Sequence, residues 1–247
     1  MARALRSVGH DVEGPLTRGA ELSSAAQGSE VLIIATSDAQ IREVAAAVSP
    51  QAGCVVIHLA GSVGLEVLGE HPRRAALHPL VPLPTAELGA ARLCSGITFA
   101  VAGDPMAAAL AGSLGGKVVS VADEDRARYH AAACVAANHV VALLAQVERL
   151  ADSAGLELAA FVDLARFAVE DVAALGPRSA LTGPAARGDW ATLERHLEAI
   201  PEAERASYRA GVGLCLEVLA AGALVEPLDE PANERLELRS PSFASPA

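Results

Sequence analysis

An α/β fold on a doubly wound parallel sheet, followed by an all-helical domain, is predicted by three features of the 247-residue sequence. Short apolar runs alternate with amphipathic segments from Glu30 to about Val121. Strand signals then stop, and Asp123 to about Ser153 contains neither Pro nor Gly. Hydrophobic residues make up 52% of the chain, enough to bury a core in one large domain or two small ones.

The first half reads as follows. Val31-Leu32-Ile33-Ile34-Ala35 has the length and composition of a buried parallel strand. Asp38 follows as an N-cap, and Ile41, Val44, Ala45 and Val48 form a helical stripe. A second strand, Val55 to Leu59, runs into Ala60-Gly61-Ser62 and a short helix through Leu68. Further strands are expected at Ala75–His78, Ile97–Val101 and Lys117–Val121, with a helix from Pro105 to Leu114 between the last two. Strands alternating with helices at this spacing build a parallel sheet.

In the second half, the helix from Asp123 to about Ser153 would be roughly 45 Å long at 1.5 Å per residue, and Gly155 ends it. A helix from Glu157 to Leu175 follows from Phe161, Leu164, Ala168, Val172 and Leu175, and Gly176-Pro177 terminates it. Two more run from Asp189 to Ile200 and from Pro201 to Leu224. The chain thus divides into a cofactor-binding domain over residues 1–121, a helical domain over 122–225, and a tail over 226–247 without periodicity that is expected to be disordered.

Bulk properties narrow the function. The formal charge is −11, and no run of Lys or Arg offers a track for phosphates, which argues against nucleic acid and anionic membranes as partners. No stretch of about 18 uninterrupted apolar residues and no signal core is present. The four cysteines are far apart, without a Cys-x-x-Cys pair, which suits a reducing cytoplasm. The seven histidines include no His-x-x-x-His pair, so no metal site is expected.

In a dinucleotide-binding fold the first strand feeds a Gly-x-Gly-x-x-Gly turn whose amides hold the pyrophosphate. Here Ala2 to Val8 reads as the end of the helix after that turn, and Gly9-His10-Asp11-Val12 as its C-cap and the start of a second strand reaching about Leu16. The first strand and glycine turn are not among these residues. Two readings stay open: Met1 is internal to a chain with about 15–25 further residues, or the cofactor loop has been lost. On either reading NADP binding by this truncated chain is expected to be impaired.

Ligands of such sheets bind beyond the carboxyl ends of the strands. That rule sets Thr36-Ser37-Asp38, Ala60-Gly61-Ser62 and His78-Pro79-Leu80 along one crevice, for ribose contact, nicotinamide contact and closure over substrate. The alternative is that these residues cap a helix and turn the chain. Thr17-Arg18 lies past the second strand, where an Arg neutralises the 2′-phosphate of NADP, or is a plain loop arginine. His130, Cys134 and Asn138 are spaced to share one helix face. His130 is a candidate for proton transfer, since imidazole as a group suits acid–base work near neutrality, or else a hydrogen-bonded interface histidine. Tyr129, about 100° around the helix, is a polar contact or packing. Near Thr182, Arg187 has a fork suited to a substrate carboxylate, or it pairs with Asp189 or Glu170.

Leu77-His78-Pro79-Leu80, Asp123-Glu124-Asp125-Arg126 running into Tyr129-His130-Ala131-Ala132-Ala133, Asn138, and Ala180-Leu181-Thr182-Gly183-Pro184 with Arg187-Gly188-Asp189 form a recognisable set. With them, residues 1 to about 224 resemble the bacterial family of Rossmann-like proteins carrying the domain of unknown function 2520. The resemblance implies an N-terminal domain similar to those of pyrroline-5-carboxylate reductase, prephenate dehydrogenase and deazaflavin-dependent NADP oxidoreductases. It implies an all-α C-terminal domain similar to that of 6-phosphogluconate dehydrogenase, with a homodimer formed through it. In those relatives the long helix commonly offers Lys and Asn four residues apart, whereas here Cys134 stands four before Asn138.

The expected activity is an NADP-dependent oxidoreductase for a small carboxylate-bearing carbonyl or imine substrate held between the domains. His130 or His78 would transfer the proton and Asn138 orient the reacting oxygen, with Tyr129, Thr182 and Arg187 on the substrate. The alternative is a catalytically silent nucleotide-sensing or scaffolding protein, motivated by the absent lysine and glycine turn.

Overall fold

In the computed structural model, which describes residues 1–221, five short apolar runs pair side by side in chain order. They are β1 (Val31–Ile34), β2 (Val55–His58), β3 (Arg74–Pro79), β4 (Thr98–Gly103) and β5 (Lys117–Ser120). All four residues of β2 and Ala75–Leu77 of β3 are buried, so these runs carry apolar side chains to both faces instead of alternating. β5, at the edge, is exposed throughout and bears Lys117 and Ser120.

β1, β2 and β3 are parallel, with Ile34 opposite His58 and His58 opposite Ala76, so their carboxyl ends open on one side. β4 runs antiparallel to β3, pairing Leu77 with Val101, and β5 is parallel to β4. The sheet is therefore mostly parallel, with one reversal that the strand-helix alternation did not predict. Its cause is the connection from β3 to β4. That segment folds into a helix, α3 (Ala86–Leu93), capped by Thr85 Oγ1 accepting from the Leu88 amide at 3.3 Å. α3 packs beside α1 (Ala2–Ser7), with Arg3 and Glu87 3.1 Å apart, so the chain re-enters the sheet from the end it left.

The strand expected from Val12 to about Leu16 does not form. Its backbone is satisfied locally instead: Arg6 donates from Nη2 to the Val12 and Gly14 carbonyls at 2.9 and 2.7 Å, and Val12 packs on the core. Two buried clusters cover the sheet. One joins Val55, Ile57, Ala75, Leu77 and Phe99 to Leu5, Leu93 and Leu110, and the other joins Ile34 and Val56 to Ile41 of α2 (Ile41–Ala47) and to Leu68. α4 (Met106–Ser113) lies between β4 and β5 in the chain, where a helix was expected.

The long helix is continuous over Asp123–Ser153, but not uniform. A 3₁₀ turn (Asp123–Asp125) leads into α5 (Arg126–Cys134), a π turn (Val135–His139) follows, and α6 (Val140–Ser153) completes it. By length and composition alone this helix could cross a membrane. The chain forms two compact units, Met1–Val140 and Val141–Ala247.

The second unit is helical in its described part. After α6 come α7 (Ala159–Leu175), the short α8 (Pro177–Ala180) and α9 (Pro184–Arg187), α10 (Trp190–Ala199) and α11 (Glu202–Ala221). Gly176 ends α7 at φ 79°, a left-handed value open to glycine. Ala185, Leu193 and Val212 form its core with Trp190 and Tyr208, and Arg149 of α6 pairs with Glu204 of α11 through two contacts. The tail expectation at 226–247 lies outside the described residues.

Leu77 is fully buried at the centre of the sheet. Leu77→Ala is expected to destabilise the protein by about 2–5 kcal/mol through lost burial and a residual cavity. Urea unfolding checks this as a lower midpoint at unchanged slope.

Candidate active site

The parallel strands deliver three loops to one edge, and polar side chains tie two of them together. Ser62, after β2, donates from Oγ to Asp38 Oδ2, after β1, at 2.9 Å. Asp38 is therefore not the N-cap of α2. It opens a 3₁₀ turn, Asp38–Gln40, beside which Ser37 Oγ donates to Gln40 Oε1 at 2.9 Å. Thr36, Ser37 and Asp38 are exposed, while Ala60 and Gly61 are buried.

His58 closes β2 and is fully buried. Its Nδ1 accepts from the Ala60 amide at 3.2 Å, while Nε2 has no hydrogen-bond partner. Burial first, and then the Arg126 charge, push its pKa down to about 4, so the imidazole is neutral at neutral pH. Arg126, also fully buried, donates from Nη1 to the Ala60 carbonyl at 3.3 Å. Its Nε lies 3.4 Å from Asp123 Oδ1, an ion-pair distance at an angle too poor for a hydrogen bond, and Nη2 has no partner. Asp123 Oδ2 accepts from the Leu65 amide at 2.9 Å.

His78 near the end of β3 meets α5. Its Nδ1 lies 2.7 Å from the Tyr129 hydroxyl, and its ring meets those of Tyr129 and His130 edge-on at centroid distances of 5.6 and 6.0 Å. Burial, then the nearby His130 and Arg126, lower the His78 pKa to about 4. Burial raises that of Tyr129, so the phenol keeps its proton. Gly61 is the floor beneath these rings: a Cβ there would stand 2.6 Å from His130 Cδ2 and 2.9 Å from His78 Nε2. Only a hydrogen fits. Cys134 Sγ lies 3.8 Å from His130 Nδ1.

The structure thus brings together Asp38 with its loop neighbours Thr36 and Ser37, Ala60, Gly61, Ser62, His78, Tyr129 and His130. The remaining candidates stand apart. Thr17 and Arg18 are exposed in a turn closed by the Ala20 amide on the Thr17 carbonyl, and no described contact links them to the strand ends. Asn138 is exposed in the π turn, without a side-chain hydrogen bond among the described residues. The i→i+5 geometry of that turn breaks the α spacing from which its alignment with His130 was inferred. Thr182 and Arg187 belong to the second unit. Among the described residues Arg187 forms no ion pair with Asp189 or Glu170: Asp189 accepts from Thr192, whose hydrogen bonds, with a smaller contribution from the Arg187 charge, hold its carboxyl below the usual range, and Glu170 binds Arg166.

His58, Asp123 and Arg126 were missed as site residues. A histidine ending an apolar strand, and an arginine following three carboxylates at a helix start, are the signals that could have found them.

Fold and site together define an α/β protein with a Rossmann-like sheet and a helical C-terminal part. The family described as Domain of unknown function (DUF2520) matches residues 93–212. It is similar to protein TM1727 from Thermotoga maritima, at 26% identity and a TM-score of 0.64 over 77% of this chain and 78% of that one. It shares its fold with BF3122 from Bacteroides fragilis, provisionally assigned as an NADP oxidoreductase, at 20% identity and a TM-score of 0.70 over 87% and 92% of the two chains. The same holds for Plasmodium falciparum pyrroline carboxylate reductase with NADP bound, at 10% identity and a TM-score of 0.53 over 88% and 91%. No curated protein matches the chain.

The neutral histidines set a pH dependence. His58 titrates near 6.5 when exposed and near 4 when folded, so below 6.5 the unfolded chain binds the extra proton. Stability is expected to fall as pH drops from about 6.5 to 4, by up to about 1.4 kcal/mol per pH unit for this group, and to be flat above. His78, more exposed, adds a smaller contribution of the same sign. His58→Asn keeps an acceptor for the Ala60 amide but cannot titrate. Urea unfolding at pH 7.5, 6 and 5 should show a shallower slope in this variant, and an equal slope would contradict the assignment.

Proposed function

We propose that the protein is an NADP-dependent oxidoreductase reducing the C=O or C=N bond of a small carboxylate-bearing compound. The observation that carries the reading is the convergence of His78, Tyr129 and His130 on Gly61, at the carboxyl end of β2. Ligands of such sheets gather there, and NADP in the pyrroline carboxylate reductase of the same fold supports the choice of cofactor.

When bound, NADPH supplies a hydride, and the reduced oxygen or nitrogen then needs a proton. In the tautomer in which the Tyr129 O–H donates to Nδ1 of neutral His78, the Nε2 proton lies on the Gly61 side. That proton passes to the substrate heteroatom as negative charge develops, Tyr129 gives its own proton to Nδ1, and the phenolate left behind recovers a proton from solvent. His130 is the second donor to the same space. The hydroxyls and carboxylate of exposed Thr36, Ser37 and Asp38, with that of half-buried Ser62, fit ribose, and Ala60-Gly61 fits the nicotinamide. Thr17 and Arg18 are assigned to the 2′-phosphate. No Gly-x-Gly-x-x-Gly turn follows a described strand. Binding by these residues alone is accordingly proposed to be about 10- to 100-fold weaker than with such a turn, the worth of one or two charge-assisted hydrogen bonds.

Calorimetric titration with NADPH, followed by single-turnover reduction of a panel of oxo acids and cyclic imino acids, tests this reading. His78→Ala and His130→Ala should lower the rate by about 10²–10⁴ where each acts as acid, with NADPH affinity changed much less. No NADPH binding at millimolar concentration would defeat the proposal. Binding without turnover of any substrate would favour a nucleotide-sensing role.

We further propose a homodimer, formed through the helical unit in a reducing cytoplasm. In α6 Val141 and Leu143, and in α7 Leu164, Phe167, Val169 and Leu175, are exposed by half or more. So much apolar surface on two helices calls for cover, and a second copy provides it. Light scattering at micromolar concentration should give twice the 25.1 kDa chain mass, and Val141→Glu with Leu164→Glu should give the monomer. A monomeric parent protein would overturn this.

A further inference from the structure

The Asp123-Glu124-Asp125-Arg126 stretch takes no part in the chemistry proposed above, yet two of its side chains reach furthest into the site. We infer that Asp123 and Arg126 pin the Ala60–Leu65 loop to the start of α5 and so hold Gly61 in its seat against His78 and His130. They are positioning residues.

The contacts run in a closed path. Arg126 Nη1 donates to the carbonyl of Ala60, the residue before Gly61, at 3.3 Å. Arg126 Nε lies 3.4 Å from one oxygen of Asp123, and the other oxygen accepts from the Leu65 amide at 2.9 Å. One carboxylate thus links the guanidinium at the loop's first residue to the amide at its last. The loop presses close to this carboxylate. A Cβ on Gly64 would stand 2.8 Å from Asp123 Oδ2 and would also meet Glu66, so the approach requires glycine. Tyr129 and His130 follow Arg126 by three and four residues, one helical turn on. Fixing Arg126 to Ala60 therefore fixes the separation of His130 and Gly61, which leaves no room for a methyl group.

A guanidinium with no exposed surface is costly unless well paired. A helix-capping role would leave it at the surface, where Arg128 pairs with Asp125. Its charge also faces the imidazoles. His78 is lowered by burial, His130 and Arg126 and raised by Asp38, with Tyr129 on its Nδ1, so Arg126 helps keep it neutral.

The purpose of this strut rests on the oxidoreductase reading, whereas its geometry does not, and its test needs no NADPH. In the isotopically labelled full chain, Asp123→Asn should raise hydrogen exchange at the Leu65 amide by about tenfold or more, the worth of one lost charge-assisted bond. Arg126→Met should speed exchange across residues 60–65, shift the His130 ring resonances, and raise the His78 titration midpoint above about 4, burial and His130 still holding it below 6.5. Arg126→Lys retains the charge without the fork, and should restore the His78 midpoint while leaving exchange fast. A merely structural role would not separate these two readouts. Unchanged Leu65 exchange in Asp123→Asn overturns the inference. So does a His78 midpoint that Arg126→Met leaves in place. Should Arg126→Met fail to fold, Asp123→Asn decides, since that side chain is 42% exposed. Loss of the oxidoreductase reading would show in NADPH binding alone.

Discussion

Burial of β2 and β3 on both faces is the constraint on which the rest depends. A strand whose successive side chains all enter an apolar core has no place for chemistry along its length, so polar groups collect at its ends. His58 and His78 are the polar residues of these two strands at that end, and the parallel run of β1, β2 and β3 brings three such ends to one side. The reversal at β4 sends the ends of β4 and β5 the other way. Every strand-end group of the site accordingly comes from the three parallel strands, and the remaining groups come from the start of the long helix.

Burial then determines the state of these groups. An imidazole removed from water resists protonation, and a neighbouring guanidinium adds to the effect, so His58 and His78 are neutral in conditions where an exposed histidine would be partly charged. The same removal from water keeps the proton on Tyr129. A neutral imidazole bonded to a neutral phenol can pass a proton through both nitrogens without separating charge at rest.

Much of this was legible in the sequence, for reasons that differ by element. The strands at Val31, Val55 and Ala75 were visible because continuous apolar runs of that length have few other homes, and Ala60-Gly61-Ser62 and His78 followed from the rule that ligands gather at strand ends. The direction of β4 was not legible, since it depends on where α3 docks, with Leu93 entering the same buried cluster as Leu5 of α1, a tertiary arrangement that no local pattern encodes. The Val12–Leu16 strand was misread because its pattern suits a strand, but pairing requires a neighbour, and Arg6 supplies the carbonyls with a partner first. Asn138 was placed by α-helical arithmetic that the π turn invalidates. Arg126 was hidden by its own chemistry: composition assigns an arginine to the surface, and only the fold shows what draws it inside.

Unsatisfied polar atoms show where the fold accepts cost. Among the described residues, four buried side-chain nitrogens lack a hydrogen-bond partner, and three of them belong to His58 and Arg126. Each such group costs on the order of 1–3 kcal/mol in a packed interior, and an apolar pair of similar size would remove the penalty. The fourth, on His71, belongs to a ring whose other nitrogen is bonded to the Ala45 carbonyl, an ordinary half-satisfied histidine. The other three surround one loop, where apolar side chains such as those of Ile57 and Val56 beside them would carry no such cost. Local disagreement with the rules of burial is expected where geometry is held for function. Here it surrounds the one glycine that lets two imidazoles approach a backbone.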